Sequence, residues 1–184
     1  MALTATIYTF TIDLSDMDRG VYETLSLRVA RHPSETIEYM VVRVLAYCLE
    51  FQDGIVMTEG VSSGDEPAVL VRDLTGRPTA WIEVGLPDAN RLHRGMKLAG
   101  RAAVYTHRDT RQFLEQLAGA RIHRADEIPI RAFARSEIEA LAALLDRRVS
   151  LAISVSGGHL FVSLGDQTAT LAMTEHRLEP SKAP

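Results

Sequence analysis

The sequence contains little lysine and a single cysteine. Two of its 184 residues are lysine, Lys97 and Lys182, against 18 arginines. A lone Cys48 excludes an internal disulfide and is typical of a reducing compartment, and its apolar neighbours predict a buried packing role. The guanidinium fork matches phosphate oxygens, but a high arginine content also follows from genomic base composition. Arginine content alone therefore does not indicate a function.

Long apolar runs are also missing. No segment approaches the roughly 20 apolar residues of a membrane span, and the opening "MALTATIYTF" lacks a basic leader, so a cytoplasmic protein without a membrane partner is predicted. A net charge of -4 excludes a surface that is basic throughout, although it leaves room for a local basic groove. Hydrophobic residues make up 46% of the chain, which is typical of one globular core, and a single domain is predicted over 1–178 with a flexible tail over 179–184.

Hydrophobic periodicity predicts the first elements. Apolar residues alternate with polar ones from Tyr8 to Leu14 and again around Leu27, so residues 4–31 are expected to form an antiparallel hairpin. The period then changes to three and four from Ile37 onward. This change predicts an amphipathic helix capped by Ser34.

The remaining elements follow from the same reading. Strands are predicted near 55–59, 68–72, 79–84, 102–107 and 128–133, with helices near 88–99, 109–118 and 135–146. Two final strands flank "SGGH", whose glycines suit a tight hairpin. The predicted fold is a mixed sheet flanked by helices, with antiparallel hairpins added at the N- and C-terminal ends.

Glu83 is the unusual residue, because it lies inside the apolar run "TAWIEVGLPD". A hairpin centred between Thr75 and Gly76 pairs residues whose numbers sum to 151 and places Glu83 opposite Ala68. Glu66 then lies diagonally across the same face, at about 7 to 8 Å. A register shift of one residue puts Asp65 there instead.

Two carboxylates on neighbouring strands suit Mg²⁺ or Mn²⁺, which orient water and stabilise charge on a phosphodiester. Glu83, with Glu66 or Asp65, is therefore a candidate metal site. The alternative interpretation is structural: Glu83 sits at a solvated strand end or pairs with an arginine.

Several further residues are candidates for roles beside Glu83. Glu38 is predicted on the border of the helix's apolar stripe, from which it could lean inward, whereas Glu35 and Glu50 are predicted on the far side. Arg91 and Arg94 suit phosphate binding.

The polar residues near these arginines have simpler interpretations. Asp88 is interpreted as a helix N-cap. His93 is interpreted as an incidental surface histidine, and its alternative role is that of a general base. Lys97, about 13 Å along the helix, is too distant to serve Glu83.

Three motifs carry a resemblance to a known family. "RHPSE" at 31–35, "GDEP" at 64–67 and "WIEVGLPD" at 81–88, with "MALTATIY" at the start, closely resemble the YaeQ family of bacterial proteins over nearly the whole chain. The resemblance implies a fold related to the PD-(D/E)XK restriction-endonuclease-like superfamily, whose core is a helix, three strands, a helix and a strand.

The same resemblance implies roles for individual residues. Glu83 corresponds to the acid of the (D/E)XK motif, and Glu38 or Glu35 to an acid of the leading helix. Two positions depart from the motif, because Gly85 replaces the expected lysine and Ala68 the expected aspartate. Both departures remove groups that nuclease chemistry uses.

Two hypotheses follow. In the first, the protein is a metal-dependent phosphodiesterase acting on nucleic acid: Glu83 and Glu66 or Asp65 hold the ion, and Arg91 and Arg94 hold phosphate. In the second, it is a catalytically inactive nuclease-fold module that binds a nucleic acid or protein partner. Pairing of Glu83 with an arginine would favour the second hypothesis.

Overall fold

The structure is a computed structural model that describes residues 4–60 and 64–179. Within these ranges the chain forms ten β-strands, four α-helices and one 3-10 turn, Ala125–Glu127. The strands are β1 Thr6–Asp16, β2 Val21–Arg31, β3 Ile55–Met57, β4 Val69–Arg72, β5 Pro78–Val84, β6 Ala102–Thr106, β7 Pro129–Phe133, β8 Arg148–Ser156, β9 His159–Leu164 and β10 Gln167–Arg177. The helices are α1 Ile37–Leu49, α2 Ala89–Ala99, α3 Arg111–Ala118 and α4 Arg135–Ala143.

The described strands form one mixed sheet in the order β2-β1-β8-β9-β10-β7-β6-β5-β4-β3. β5, β6 and β7 are parallel neighbours, and α2 and α3 connect them in turn. Parallel strands require such crossover connections, whereas antiparallel strands can be joined by short turns. The carboxyl ends of these three strands consequently meet at one edge of the sheet.

Two hydrophobic clusters cover the two faces of this sheet. One contains α1, the buried face of α4 and the N-terminal hairpin, and the other contains the buried residues of α2 and α3. Successive residues of a strand point to opposite faces. Ile82 therefore belongs to the first cluster while its neighbour Trp81 belongs to the second.

The structure confirms the mixed α/β fold and most of the predicted elements. β1 and β2 form the expected N-terminal hairpin. The predicted register, in which the numbers of paired residues sum to 151, holds for Val69 with Ile82 and for Val71 with Ala80. It shifts at a bulge near Arg72. Cys48 is fully buried, and burial raises the pKa of its thiol to about 12.

Three predicted details were wrong. Thr36, not Ser34, caps α1, because its hydroxyl accepts a hydrogen bond from the Tyr39 amide. α4 ends at Ala143 rather than near 146. A further strand, β10, was not predicted, because its small and polar residues alternate only weakly with apolar ones.

The added terminal hairpins are part of the main sheet. β8 pairs in parallel with β1, and β10 pairs with both β9 and β7, so the terminal strands extend the central sheet. No helix in the described ranges is both long and apolar enough to cross a membrane. The single-domain boundary at 178 stays a prediction, and the predicted tail lies outside the described residues except for Glu179.

Gly95 supplies a test of how closely α2 packs on β5. A Cβ at this position would lie 2.4 Å from Trp81 ring carbons. We expect Gly95→Ala to lower the free energy of unfolding by about 1 to 3 kcal/mol, because overpacking outweighs the gain in helix propensity. Urea denaturation measures this change. Gly119→Ala is the control, since its Cβ would meet nothing within 4 Å, and equal stabilities of the two variants would contradict the close packing.

Candidate functional site

A cleft of about 1100 Å³ lies at the carboxyl ends of β5, β6 and β7. Its walls come from the start of α1, the end of β5, the loop after β6 and the start of α4, and Arg91 of α2 completes it. Crevices at the carboxyl ends of parallel strands are the usual binding places in α/β folds, because helices on opposite faces diverge there. The topology therefore makes this cleft the candidate site.

Glu83 lies at the end of β5 and is only 4% exposed. The indole Nε1 of Trp81 donates to Oε1 of Glu83 at 2.7 Å, since residues two apart in a strand share a face. Arg91 donates from Nε to Oε1 at 3.0 Å and from Nη2 to Oε2 at 3.3 Å. Burial raises the pKa of the Glu83 carboxyl, and these hydrogen bonds oppose that rise. Both carboxylate oxygens have donors.

Arg91 also holds the segment that precedes β4. Its Nη1 donates to the carbonyl of Gly64 and its Nη2 to the carbonyl of Glu66, each at 2.8 Å. One guanidinium thus joins α2, β5 and the 64–66 loop. These contacts use donors that the sequence analysis assigned to phosphate.

The other predicted acids lie outside the cleft wall. Glu66 accepts from Arg72 at 3.0 Å, and the exposed Asp65 accepts from Arg94 at 3.0 Å. β4 begins only at Val69, so the strand pairing that predicted Glu66 diagonal to Glu83 does not extend that far. Of the predicted site residues, the cleft brings together Glu83, Arg91 and Glu38.

The predicted Mg²⁺ or Mn²⁺ clamp does not fit this arrangement. Both oxygens of Glu83 accept hydrogen bonds, and Glu66 and Asp65 each pair with a different arginine through one oxygen, so a hard cation would have to compete with three guanidiniums. Among the residues with described positions, no group of three or more His, Cys, Asp or Glu side chains is arranged to hold a metal. A metal role for these carboxylates stays a prediction.

Two helix-end acids were placed wrongly by the sequence analysis. Glu35 and Glu50 were expected on the far side of α1, yet they are 2% and 3% exposed. Glu35 precedes the helix, where the chain turns back and Oε1 accepts from the buried Arg43 at 2.8 Å. Glu50 caps the other end, beneath Arg131 and Tyr105. The signal that could have located Glu35 was Arg43, a charge on the buried stripe of α1.

Local packing explains the two departures from the nuclease-like motif. Gly85 has φ of 91°, a conformation that side chains rarely adopt, and a Cβ there would meet the Tyr39 ring at 3.3 Å. Ala68 is 3% exposed. A lysine at 85 would therefore be strained, and the buried position 68 carries no polar group.

His107 and Tyr39 are among the residues of the cleft that were not predicted. His107 follows β6, and its buried Nδ1 has no hydrogen-bond partner within the described part of the chain. Burial, with Arg108 beside it, lowers the pKa of His107. Burial also raises the pKa of Tyr39 to about 12. His107 could have been found from its position at the end of a parallel strand.

Two polar residues of α2 and its N-terminus lie near Arg91 in the sequence. Asp88 is the N-cap of α2, as predicted, and accepts from the Arg91 amide. His93 lies outside the cleft wall, and its Nδ1 accepts from the His123 amide at 3.2 Å.

Comparison with known proteins identifies relatives of the whole chain. The sequence model of the YaeQ protein family matches residues 1–173. An Escherichia coli K12 relative, described as an uncharacterised YaeQ protein, is 30% identical over 89% of this chain and 91% of its own length. The crystal structure of the Pseudomonas syringae YaeQ protein matches with a TM-score of 0.88 at 33% identity, over 95% of this chain and 97% of that one. The corresponding Xanthomonas axonopodis pv. citri structure gives 0.87 at 32% identity, over 96% and 100%.

Removing Arg91 should test the clamp on Glu83. We expect Arg91→Met to lower the free energy of unfolding by about 2 kcal/mol, because the buried Glu83 carboxylate loses its partner. The loss is smaller than for a fully buried ion pair, because part of the Arg91 side chain is exposed. The double variant Arg91→Met/Glu83→Gln should recover about half of this loss. Chemical denaturation of the single and double variants measures the coupling, and additive effects would contradict it.

His107 should be neutral at pH 7. Its folded pKa lies below the ordinary value of 6.5, so its neutral form stabilises the fold above about pH 6.5, and this contribution is lost as the pH falls through the folded pKa. NMR titration of the His107 ring gives its midpoint directly, with His107→Gln to assign the resonance. The variant should also lose less stability than the wild type between about pH 6.5 and 5. A midpoint above 6.5 would contradict this.

Proposed function

The chain belongs to the YaeQ family, and we propose that its cleft is a non-catalytic binding site for a cationic polypeptide segment. The observation that carries the proposal is the state of Glu83. This carboxylate lies in the cleft wall but is already neutralised by Arg91 and bonded to Trp81. This state of Glu83 favours a binding module over a phosphodiesterase. We further propose a protein partner and not a nucleic acid.

We assign the scaffold to the restriction-endonuclease-like, PD-(D/E)XK group. The order α1, β3, β4, β5, α2, β6 supports this assignment, because it follows the helix, three strands, helix and strand of that core. Glu83 then stands at the position of the motif's acid. A fold alone does not imply an activity, so the function depends on the side chains of the cleft.

The side chains of the cleft lack the requirements of phosphodiester cleavage. Gly85 provides no lysine to stabilise charge, and Glu83 is tied to Arg91. A phosphodiesterase at this place would require Arg91 to release Glu83. The feature that favours this competing function is that Glu38 and Glu83 both line the cleft.

The sign of the charge in the cleft favours a cationic partner. The described residues of its wall include five carboxylates and three guanidiniums. The carboxylates are Glu35, Glu38, Glu83, Asp109 and Glu139, and the guanidiniums are Arg91, Arg108 and Arg135. Arg43 neutralises Glu35 from behind the wall, and the remaining balance is still acidic. An acidic cleft repels a phosphate backbone and attracts a positively charged segment.

Glu38 is the strongest candidate for the anchor. It is partly buried in the wall, and no cationic group among residues 4–60 and 64–179 lies within ion-pair distance of it, although Arg135 and His107 are near enough to interact with its charge. A guanidinium or ammonium group of a partner would complete a charge-assisted hydrogen bond there. The buried Nδ1 of His107 and the Tyr39 ring lie in the same wall and supply polar and aromatic surface.

Fluorescence anisotropy tests the proposal with a labelled eight-residue peptide containing four arginines. We expect saturable binding that weakens with salt and falls about fivefold in Glu38→Gln, since one partly exposed ion pair is lost. The matched control is Glu115→Gln, which removes an exposed carboxylate of α3 outside the cleft. A glutamate version of the peptide and single-stranded DNA and RNA oligonucleotides should bind more weakly than the arginine peptide.

The opposite results would overturn the proposal. Tighter binding of the oligonucleotides than of the arginine peptide would contradict a cationic partner. Equal peptide affinities of Glu38→Gln and the wild type would contradict it as well. Calorimetric titration with Mn²⁺ tests the competing function: sub-millimolar binding that disappears in Glu83→Gln, with metal-dependent cleavage of DNA or RNA, would establish the phosphodiesterase instead.

A further inference from the structure

A second polar pocket lies at the opposite edge of the sheet from the cleft. Its volume is about 370 Å³, and it is lined by the last turn of α1, the start of β5, Arg101 before β6 and Arg131 of β7. α1 runs from the cleft to this pocket and spans 13 residues. The two places are therefore about 20 Å apart, at about 1.5 Å per helical residue.

Glu50 forms the floor of this pocket and is fully engaged. Its Oε1 accepts from the Tyr105 hydroxyl at 2.7 Å and from Arg131 Nη1 at 3.0 Å, while Oε2 accepts from Arg101 Nη2. Burial raises the pKa of Tyr105, which keeps the phenol protonated as a donor. A single buried carboxylate thus holds two guanidiniums side by side.

The two guanidiniums retain unused donors. Each guanidinium has five N–H groups. Arg101 makes one hydrogen bond to the part of the chain that the structure describes, through Nη2. Arg131 uses Nε for Glu175 and Nη1 for Glu50 and Tyr105, which leaves Nη2 without a partner among the same residues. Their side chains are 46% and 22% exposed, so ligands can reach them.

The charge around the pocket is positive. Arg19 also lines it, although its guanidinium is committed to Asp16 and to the carbonyls of Cys48 and Phe51. Glu175, the other acid bonded to Arg131, is shared with Arg177. Apart from the Arg19–Asp16 pair, three guanidiniums, those of Arg101, Arg131 and Arg177, share two carboxylates, those of Glu50 and Glu175.

We infer that this pocket binds a phosphate monoester, whose oxygens accept hydrogen bonds from Arg101 and Arg131 together. A guanidinium matches a tetrahedral oxyanion with two parallel donors, and two guanidiniums fixed by one carboxylate are already oriented. The pocket is larger than a phosphate group. Gln52 and Thr79 line the remainder and offer polar contacts to an attached organic group.

NMR titration of the ¹⁵N-labelled full chain tests this inference, with inorganic phosphate and phenyl phosphate as separate probes. We expect saturable shifts of the Gln52, Thr79 and Arg101 amides, with phenyl phosphate binding more tightly than phosphate. Arg101→Gln should weaken both by about tenfold, since a charged, forked donor is lost while Arg131 and Tyr105 still hold Glu50. Equal affinities for phosphate and phenyl phosphate would mean that the pocket binds free phosphate, through the same hydrogen bonds from Arg101 and Arg131, and that it does not contact the organic group.

Arg124→Gln is the matched control, because Arg124 is also about half exposed and paired with one carboxylate. Its phosphate affinity should equal that of the wild type. Arg101→Lys, which keeps the charge without the fork, should bind with intermediate affinity and replaces Arg101→Gln if that variant fails to fold. The inference is overturned by equal affinities of the Arg101 variants and the wild type, by no saturation at about 10 mM phosphate, or by shifts confined to Gly85 and His107 in the cleft.

Discussion

The cleft depends on one buried interaction, the pairing of Arg91 with Glu83. A carboxylate that is 4% exposed is costly to leave alone, and Arg91 together with the Trp81 indole satisfies both of its oxygens. The same guanidinium binds two carbonyls of the segment before β4. Catalytic use of Glu83 would therefore disturb the packing of α2, β5 and this segment together.

Some of the arginines that are so frequent in the sequence hold buried acids. Glu35 is held by Arg43, Glu83 by Arg91, and Glu50 by two arginines. A planar fork can satisfy a carboxylate and a carbonyl at once, which a lysine ammonium does with less directional control. Arginine content thus reflects internal pairing at these positions.

The two polar sites occupy opposite ends of α1 and differ in charge. At the start of the helix the cleft is acidic, with Glu38 open to a cationic partner. At the end of the helix, arginines outnumber the carboxylates they bond and leave donors for an oxyanion. We propose that the fold in this way carries two recognition sites of opposite charge, one at each end of α1.

The sequence by itself determined the elements, because hydrophobic period is a local property: the N-terminal hairpin, α1 and the register of β4 with β5 follow from it. Its motifs also identified the family and drew attention to Glu83, Glu38 and Arg91, which do share one cleft. Only the tertiary structure decided the partners of these charges. Glu83 meets Arg91 because α2 packs back on β5, and Glu50 meets Arg131 although the two lie 81 residues apart; hydrophobic period encodes neither contact. The pairing of β4 with β5 starts only at Val69, so Glu66 lies outside the paired strands and away from the site. Where this pairing starts likewise depends on how the whole chain packs.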